Sequence, residues 1–481
     1  MRTNCCKSAP HPDSSFKVLP QAVTAWQERL QAGLSRRIQA SDQTMGHLEE
    51  EILHQTRMVE RTVLEAAAQQ KADRVPPVCP VCGSKLSRVT AGHERSYQTR
   101  FGEVTIRRSR GWCRRCKCWQ FPADHHLGLA ATGSCSPGVQ EMAALVASKL
   151  PVGEASAVLE RLTGVKLPRA TLDREARRQG QRAEGQRQQR DEQMRQGTGT
   201  EQLVPELRQK QAVEPFTLVI ELDAWNIRER NDQDWGQAET LRQQGQEPEW
   251  WHWVYGGTCF RLSQRVQTAG GRSLILSRGT VMTRGGIDAL KFQLWAEAMR
   301  HGLGQAQEVL VIADGAVWIW NLVADRFASA RQRLDPWHAL EHLWVVAHAL
   351  HPEDDTAAKA WLKPLQEQLL GSQAVAVITE LDGLLHKLRG PKRAVVQTER
   401  NYLENNRLRL DYKGAKERGE PLGSGAMEST CRQYQVRFHR AGQFWTRTGD
   451  EALMCLETFW RNARWSLLFP HVPPDFDPAK N

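Results

Sequence analysis

The chain carries 481 residues, 40% of them hydrophobic, and 65 lysines and arginines against 55 acids, for a net charge of +10 and a pI near 9.1. Such a length holds about two to four domains with at least one large core, no window stays apolar long enough to cross a bilayer, and MRTNCCKSAPHPDSS at the start lacks the apolar centre of a signal peptide. An intracellular, cytoplasmic protein with no membrane partner is expected, and the basic balance favours a polyanionic partner such as nucleic acid.

In that compartment the 11 cysteines read as metal ligands or free thiols, not disulfides. Residues 1–20 read as disordered. From about Val23 to Ala72, Leu30, Leu34, Ile38, Leu48, Ile52, Met58, Val63 and Leu64 make spaced apolar faces, so residues 1–74 form an N-terminal helical arm, a packing element placed at an oligomer contact.

Residues 75–122 hold Cys79-Pro-Val-Cys82 and Cys113-Arg-Arg-Cys116. Each CxxC turn aims two thiolates at one point, and two such turns complete a tetrahedral structural Zn²⁺ site of the zinc-ribbon type. TRFGEVTIRRSRGW between them reads as a β-hairpin with Gly102 near its turn, and Cys118 and His93 are spare candidate ligands. Arg107, Arg108, Arg114 and Arg115 belong to a dense basic set there, read as DNA phosphate contacts or as a solvated basic face.

Residues 123–182 form a helical module in which GVQEMAALVASKL, GEASAVLERLTG and PRATLDREARRQG are separated by Pro or Gly. Leu167-Pro168-Arg169-Ala170-Thr171 resembles the entry to a helix-turn-helix (HTH) recognition helix, with Arg169 and Arg174 directed to DNA. A three-helix packing unit without DNA contact is the alternative. The Gln- and Arg-rich stretch from about Gln179 to Glu214 lacks apolar periodicity and reads as a solvated helix or linker, with a domain boundary in it and a linker proper at 183–214.

FTLVIELDAWNIRE opens the next domain with strand alternation that ends near Asp223. WWHWVYGGTCFRL and RSLILSRGTVMT supply further strands, and IDALKFQLWAEAMRHGL is a helix. Val309–Ile312 is a buried strand with Asp314 just past its end, followed by a helix from Trp318. A second strand-like piece leads to Asp335 and to a helix bearing His338, Glu341 and His342. This order predicts a multidomain α/β protein with a mixed sheet, in which the first and fourth strands lie side by side and bring Asp223 to Asp314. Alone, Asp314 reads equally as a cap of the following helix. Ten of the 17 tryptophans fall between Trp225 and Trp344, expected as core or groove walls, with one or two free to stack on an unpaired base.

Residues 215–350 are thus the first part of a core, 351–400 a helical insertion, 401–468 the second part and 469–481 a tail. In PLGSGAMESTCRQYQVRFHRAGQFW, Gly423-Ser424-Gly425 turns into a helix with Glu428 in its first turn and Arg432, Arg437 and Arg440 nearby. A first-turn glutamate favoured by the helix dipole is the plain alternative for Glu428.

IADGAVWIWNLVADRF, LDPWHALEHLW, YLENNR and PLGSGAMES, with the upstream CxxC pairs, resemble the DDE transposases of bacterial insertion sequences, specifically the ISKra group, from about residue 75 to 468. The resemblance implies an RNase H-like core interrupted by the helical insertion, preceded by the zinc ribbon and the helix-turn-helix-like module. It implies Asp223, Asp314 and Glu428 as the catalytic, Mg²⁺-holding trio. Asp335 and His338 match a supporting D-x-x-H signature. ELDAWNIRER lacks the Asp-Gly pair common at the first acid, and VRFHRAGQFW lacks the usual lysine. Three carboxylates can hold two Mg²⁺ (or Mn²⁺) ions about 4 Å apart, one at the attacking and one at the leaving oxygen. The partners implied are double-stranded DNA, as transposon ends and target, and further copies of the chain, since two ends must be paired. Two rival readings stay open: a non-catalytic DNA-binding protein derived from a transposase, and an RNase H-like nuclease that joins no strands.

Overall fold

A computed structural model describes residues 18–196, 214–230, 239–245 and 250–473. Most of the start expected to be disordered (1–17), residues 197–213 of the expected linker and 474–481 of the tail lie outside the described residues. The chain divides into two compact units, Met1–Ala176 and Arg177–Asn481.

In the first unit, α1 (Val18–Gln39) and α2 (Met45–Asp73) pack as a helical pair. Strands β1 (Ser87–Thr99), β2 (Gly102–Cys113) and β3 (Cys118–Gln120) form an antiparallel sheet in that order. The hairpin turn falls where Gly102 (φ 117°) accepts a conformation closed to other residues. Leu64, Ala68 and Ala72 of α2 cover Tyr97, Val104 and Ile106 of the sheet, so the arm and the hairpin share one small core. After α3 (Pro122–His126), α4 (Pro137–Lys149) is N-capped by Ser136 and α5 (Val152–Thr163) ends on left-handed Gly164, the breaks that Pro and Gly announced.

The third helix, α6, runs unbroken from Arg169 to Arg195. Its second half differs from the expected solvated helix or linker, because Gln179, Ala183, Asp191 and Met194 are buried. Arg187 pairs with Glu451 at 2.9 Å and Asp191 with Arg300 at 3.2 Å. Apart from Met194 the buried face is made of small and polar residues at helical spacing, so no apolar stripe marked it.

The second unit is built on a five-stranded sheet ordered β10-β9-β4-β5-β8. β4 (Thr217–Arg228) and β5 (Trp251–Arg261) pair antiparallel, a small hairpin of β6 (Arg265–Gln267) and β7 (Ser273–Ile275) follows, and β8 (Gly279–Thr283) pairs antiparallel with β5. Helix α7 (Gly286–Arg300) then crosses to β9 (Glu308–Ala313), which lies parallel beside β4, the adjacency expected of the first and fourth strands. α8 (Val317–Arg326) crosses to β10 (Arg331–Leu334), parallel to β9.

One face of the sheet (Leu218, Ile220, Leu222, Val311, Ala313) is sealed by α7 and α8 and by α9 (Pro336–Leu350) in the main core. α10 (Asp355–Leu370), α11 (Ala374–Lys387) and α12 (Gly390–Asn406) join α9 in a helical cluster, the insertion. Past the short α13 (Tyr412–Glu417), α14 (Gly425–Phe438) returns to cover the other face over β4 and β5, and α15 (Arg447–Arg461) packs on β8. Gly256 of β5 makes room for this, since a Cβ there would strike Met427 of α14 and Met282 of β8.

A buried ionic knot ties β10 to the segment that leads into α14. Burial alone would push the Glu420 carboxyl up, yet the Arg331, Arg418 and Arg333 guanidiniums around it hold it at about 2. A carboxylate so depressed stabilises the fold fully above its ordinary value of 4.5, and that stability is lost as pH falls towards 2. Glu420→Gln leaves buried Arg333 without its counter-charge, a loss of about 3 kcal/mol. It should also flatten the acid limb of the melting temperature between pH 4.5 and 2. Thermal melts of both proteins across that range check it.

Candidate functional site

The sheet and α14 bring acids to one edge. Leu222 of β4 lies beside Ala313 of β9, so the next residues outward in the same register are Asp223 and Asp314. Adjacent strands are about 4.8 Å apart and residues in register point to the same face. Here it is the α14 face, on which Val219, Leu310 and Ile312 pack with Ala426. α14 carries Glu428 in its first turn, and Cys431, a turn further on, is buried, its thiol pushed up by that burial and then by the charge of Asp223 beside it. Positions three apart share a helix face, so the side of α14 that bears Glu428 is the side turned to Asp223.

The local chemistry of each acid differs. Asp223 Oδ1 accepts from the Ala224 amide at 2.7 Å, and Asp314 Oδ1 from the Ala316 amide at 2.8 Å. Asp314 therefore sits in a turn before α8, whose N-cap is Ala316. Burial pushes the Asp223 carboxyl above its ordinary range, and the charge of Asp314 pushes it further, against the Ala224 amide and the Cys431 thiol. A carboxylate destabilised in this way, with a second acid beside it, is a setting that a divalent cation relieves. Glu428 is about a third exposed and reaches Arg432 at 3.4 Å. Among the described residues only four cysteines bring three or more ligand atoms within 4.8 Å of one another, so the three acids stand wider apart than that.

Asp335 is fully buried and its oxygens are engaged by the protein: Oδ1 accepts from the Trp337 amide (2.7 Å), and Oδ2 from the Ser424 amide (2.6 Å) and hydroxyl (2.9 Å). His338 lies 3.1 Å from Glu341, and its charge lowers the Asp223 carboxyl.

Three further residues build this edge and were not singled out as site residues in the sequence. Glu221, two residues before Asp223 and on the same face, is buried and accepts from the Met427 amide at 2.7 Å. Tyr402, from the YLENNR stretch of α12, stacks on His342 with ring centroids 3.4 Å apart. A Cβ at Gly315 would collide with the Tyr402 ring. Cys431 is the third. Alternating strand residues and a helical triplet are common, and only the tertiary pairing gives these their partners.

The four cysteines behave differently from the acids. Cys79, Cys82, Cys113 and Cys116 lie with all four sulfurs within 4.8 Å, at the two turns flanking β1 and β2. Cys79 and Cys116 are 3.9 Å apart, Cys82 and Cys113 3.5 Å. Four sulfurs tetrahedral about Zn²⁺ at about 2.3 Å stand about 3.8 Å apart, so the set fits a structural metal ion. The other candidates are elsewhere: His93 bonds Thr90 at 2.9 Å, and Cys118 accepts from Gln120 at 3.0 Å.

The arginines divide by burial. Arg107 is exposed and pairs with Glu94 at 2.8 Å, and Arg114, Arg115, Arg169, Arg174 and Arg432 are exposed. Arg108 is buried against Asp124 and over the Phe121 ring, and Arg437 is buried over Trp445, so neither presents its charge to solvent. Arg440 is half-buried. Among the described tryptophans from 225 to 344, Trp251 (50% exposed), Trp253 (52%) and Trp337 (65%) are open to solvent.

No helix of the described residues is long and apolar enough to cross a membrane. Compared with known proteins, the chain matches no family model and no curated protein.

Proposed function

We propose that the protein is a DNA transposase of the DDE type, catalysing Mg²⁺-dependent phosphodiester hydrolysis and strand transfer at the ends of its element. The observation that carries this reading is the β4–β9 register, which sets Asp223 beside Asp314 under the helix that bears Glu428. Three antiparallel strands followed by two parallel ones, in the order β8-β5-β4-β9-β10, favour an RNase H-like core. The interruption by α10–α12 between β10 and α14 fits the same reading.

Asp223, Asp314 and Glu428 would hold two Mg²⁺ or Mn²⁺ ions. When bound, such ions make the attacking oxygen nucleophilic and stabilise the leaving oxygen of an in-line displacement. The chain's own part is to keep the two aspartates aligned at the sheet edge, with the Ala224 and Ala316 amides fixing one oxygen of each. His338, close enough for its charge to act on Asp223, would orient a scissile phosphate. Water as nucleophile frees a 3′-hydroxyl, and that hydroxyl then attacks target DNA.

In this proposal the four-cysteine module is a zinc ribbon, and α4, α5 and α6 form a helix-turn-helix-like unit. Exposed Arg114, Arg115, Arg169 and Arg174 give double-stranded DNA its phosphate contacts. Two element ends have to be held together, so the working form is a homo-oligomer in a bacterial cytoplasm.

The test is a nicking and joining assay on DNA carrying the sequences that flank the gene, with Mg²⁺, Mn²⁺ or chelator. Metal-dependent nicks at the element boundary together with joined product are expected. Binding without cleavage in either metal would leave a non-catalytic DNA-binding protein. Nicks that never mature to joined product would leave a nuclease.

A further inference from the structure

Between α9 and α14 the chain leaves the sheet for α10–α13 and must come back in one register, or Glu428 arrives on the wrong side of its helix. Closing so long a segment leaves its end free to settle in many places, because closure entropy depends only weakly on length. The returning segment, 420–424, meets a set of buried polar groups. Along β10 and one residue past its end, residues 331, 333 and 335 alternate onto one side. Arg331 forks onto Glu420 with bonds of 2.9 and 2.6 Å. Arg333 pairs with the same carboxylate and donates to the Pro421 carbonyl at 2.7 Å. Asp335 takes the Ser424 amide and hydroxyl at 2.6 and 2.9 Å. One step on, Glu221 of β4 takes the Met427 amide at 2.7 Å.

We propose that this polar face of β10, together with Glu221, is a register device whose task is to set Glu428 against Asp223 and Asp314. It rests on the transposase reading for the meaning of that trio, and its members are positioning residues that need touch neither substrate nor metal. Apolar contacts would hold the segment as firmly, since buried ion pairs rarely add net stability over well-packed hydrophobic groups. What directional, buried pairs add is discrimination between registers. A slip of one residue turns a helix by about 100° and moves it about 1.5 Å. Such a slip would unpair Ser424 from Asp335 and Met427 from Glu221, and would swing both Glu428 and Cys431 away from Asp223. In the observed register Cys431 is buried under α14 on the Asp223 side, so the accessibility of its thiol reports the seating of α14.

The experiment uses the full-length chain and the variants Ser424→Ala, Ser424→Thr, Asp335→Asn and Glu221→Leu, the last lacking any acceptor for the Met427 amide. Thiol alkylation mapped by mass spectrometry gives a readout that needs no activity. Cys431 should react about tenfold faster in Ser424→Ala and faster still in Asp335→Asn, while Cys259 and Cys455 in the rest of the core stay protected. Ser424→Thr, which keeps the hydroxyl, should restore protection. In the cleavage assay Ser424→Ala, Asp335→Asn and Glu221→Leu should need about tenfold more Mg²⁺ for half-maximal rate, and Ser424→Thr should not, with DNA affinity within about twofold of wild type in all of them. Unchanged Cys431 protection in folded Ser424→Ala and Glu221→Leu overturns the register device, whatever the activity. A wild-type protein that protects Cys431 through these contacts yet never cuts DNA overturns the transposase reading instead.

Discussion

Asp314→Asn is expected to lower Mg²⁺-dependent strand cleavage about a thousandfold, roughly 4 kcal/mol in the barrier, while leaving the fold and the DNA affinity intact. Asparagine keeps an oxygen for the Ala316 amide, so the turn into α8 is preserved. What disappears is one of two negative charges side by side at the ends of β4 and β9. In the free protein that charge is a burden: with burial, it pushes the Asp223 carboxyl up. Removing it should leave the melting temperature unchanged or slightly raised. The opposed signs make the prediction sharp, because a structural acid would lose stability on neutralisation and a cation-holding acid loses only activity. Asp223→Asn and Glu428→Gln should lose activity alike, and pairs of these changes should cost little more than one, as for groups that act as a unit. Gel-shift titration, thermal melts and single-turnover cleavage read the three quantities. Asp314→Asn protein that cuts at the wild-type rate would sink the assignment.

How far this edge could be read in advance depends on how local each cause was. Val309–Ile312, a short apolar run closed by an acid, announces a buried strand, and the order of elements makes β4 and β9 neighbours, as the structure has them. The two CxxC turns carry their geometry within four residues each and meet in one cluster. Glu221 is different. Strand alternation put it on a face that reads as solvent, yet α14, about two hundred residues later, covers that face and turns the carboxylate into a buried acceptor. Arg331 and Arg333 look like exposed edge-strand charges until the 420–424 segment returns to meet them. The second half of α6 has the same character, since its buried side is polar and its partners Glu451 and Arg300 lie far along the chain. Period-two and period-3.6 patterns register contrast between core and water. They are silent where the core itself is charged.

Loss of the metal from the four-cysteine cluster should have an effect as large as loss of the acids, and a local one. Around the cluster the hydrophobic packing consists of Cys79, Leu86 and Cys113, with Cys82 and Cys116 against them. Little apolar area is buried there apart from the ligands, so a metal ion supplies most of the order. Structural Zn²⁺ binding in small modules is worth roughly 10 kcal/mol or more. The far end of the hairpin has its own support, because Tyr97, Val104 and Ile106 pack under α2. Cys113→Ser, or extended chelation, should therefore unravel the turns that close through Cys79 and Ser84 and through Cys116 and Cys113. The sheet beneath α2 should survive. Hydrogen exchange checks this directly: protection at Cys79, Gly83 and Cys116 should vanish, while protection at Val104 and Ile106 falls little. One equivalent of zinc per chain should leave with it, and Co²⁺ in its place should give the visible spectrum of a tetrahedral thiolate site. If the turns also help to present Arg114 and Arg115 to DNA, affinity should drop together with its salt dependence, because fewer counterions are released. A protein purified without metal, with those amides still protected, would show that four thiols alone hold the turns together.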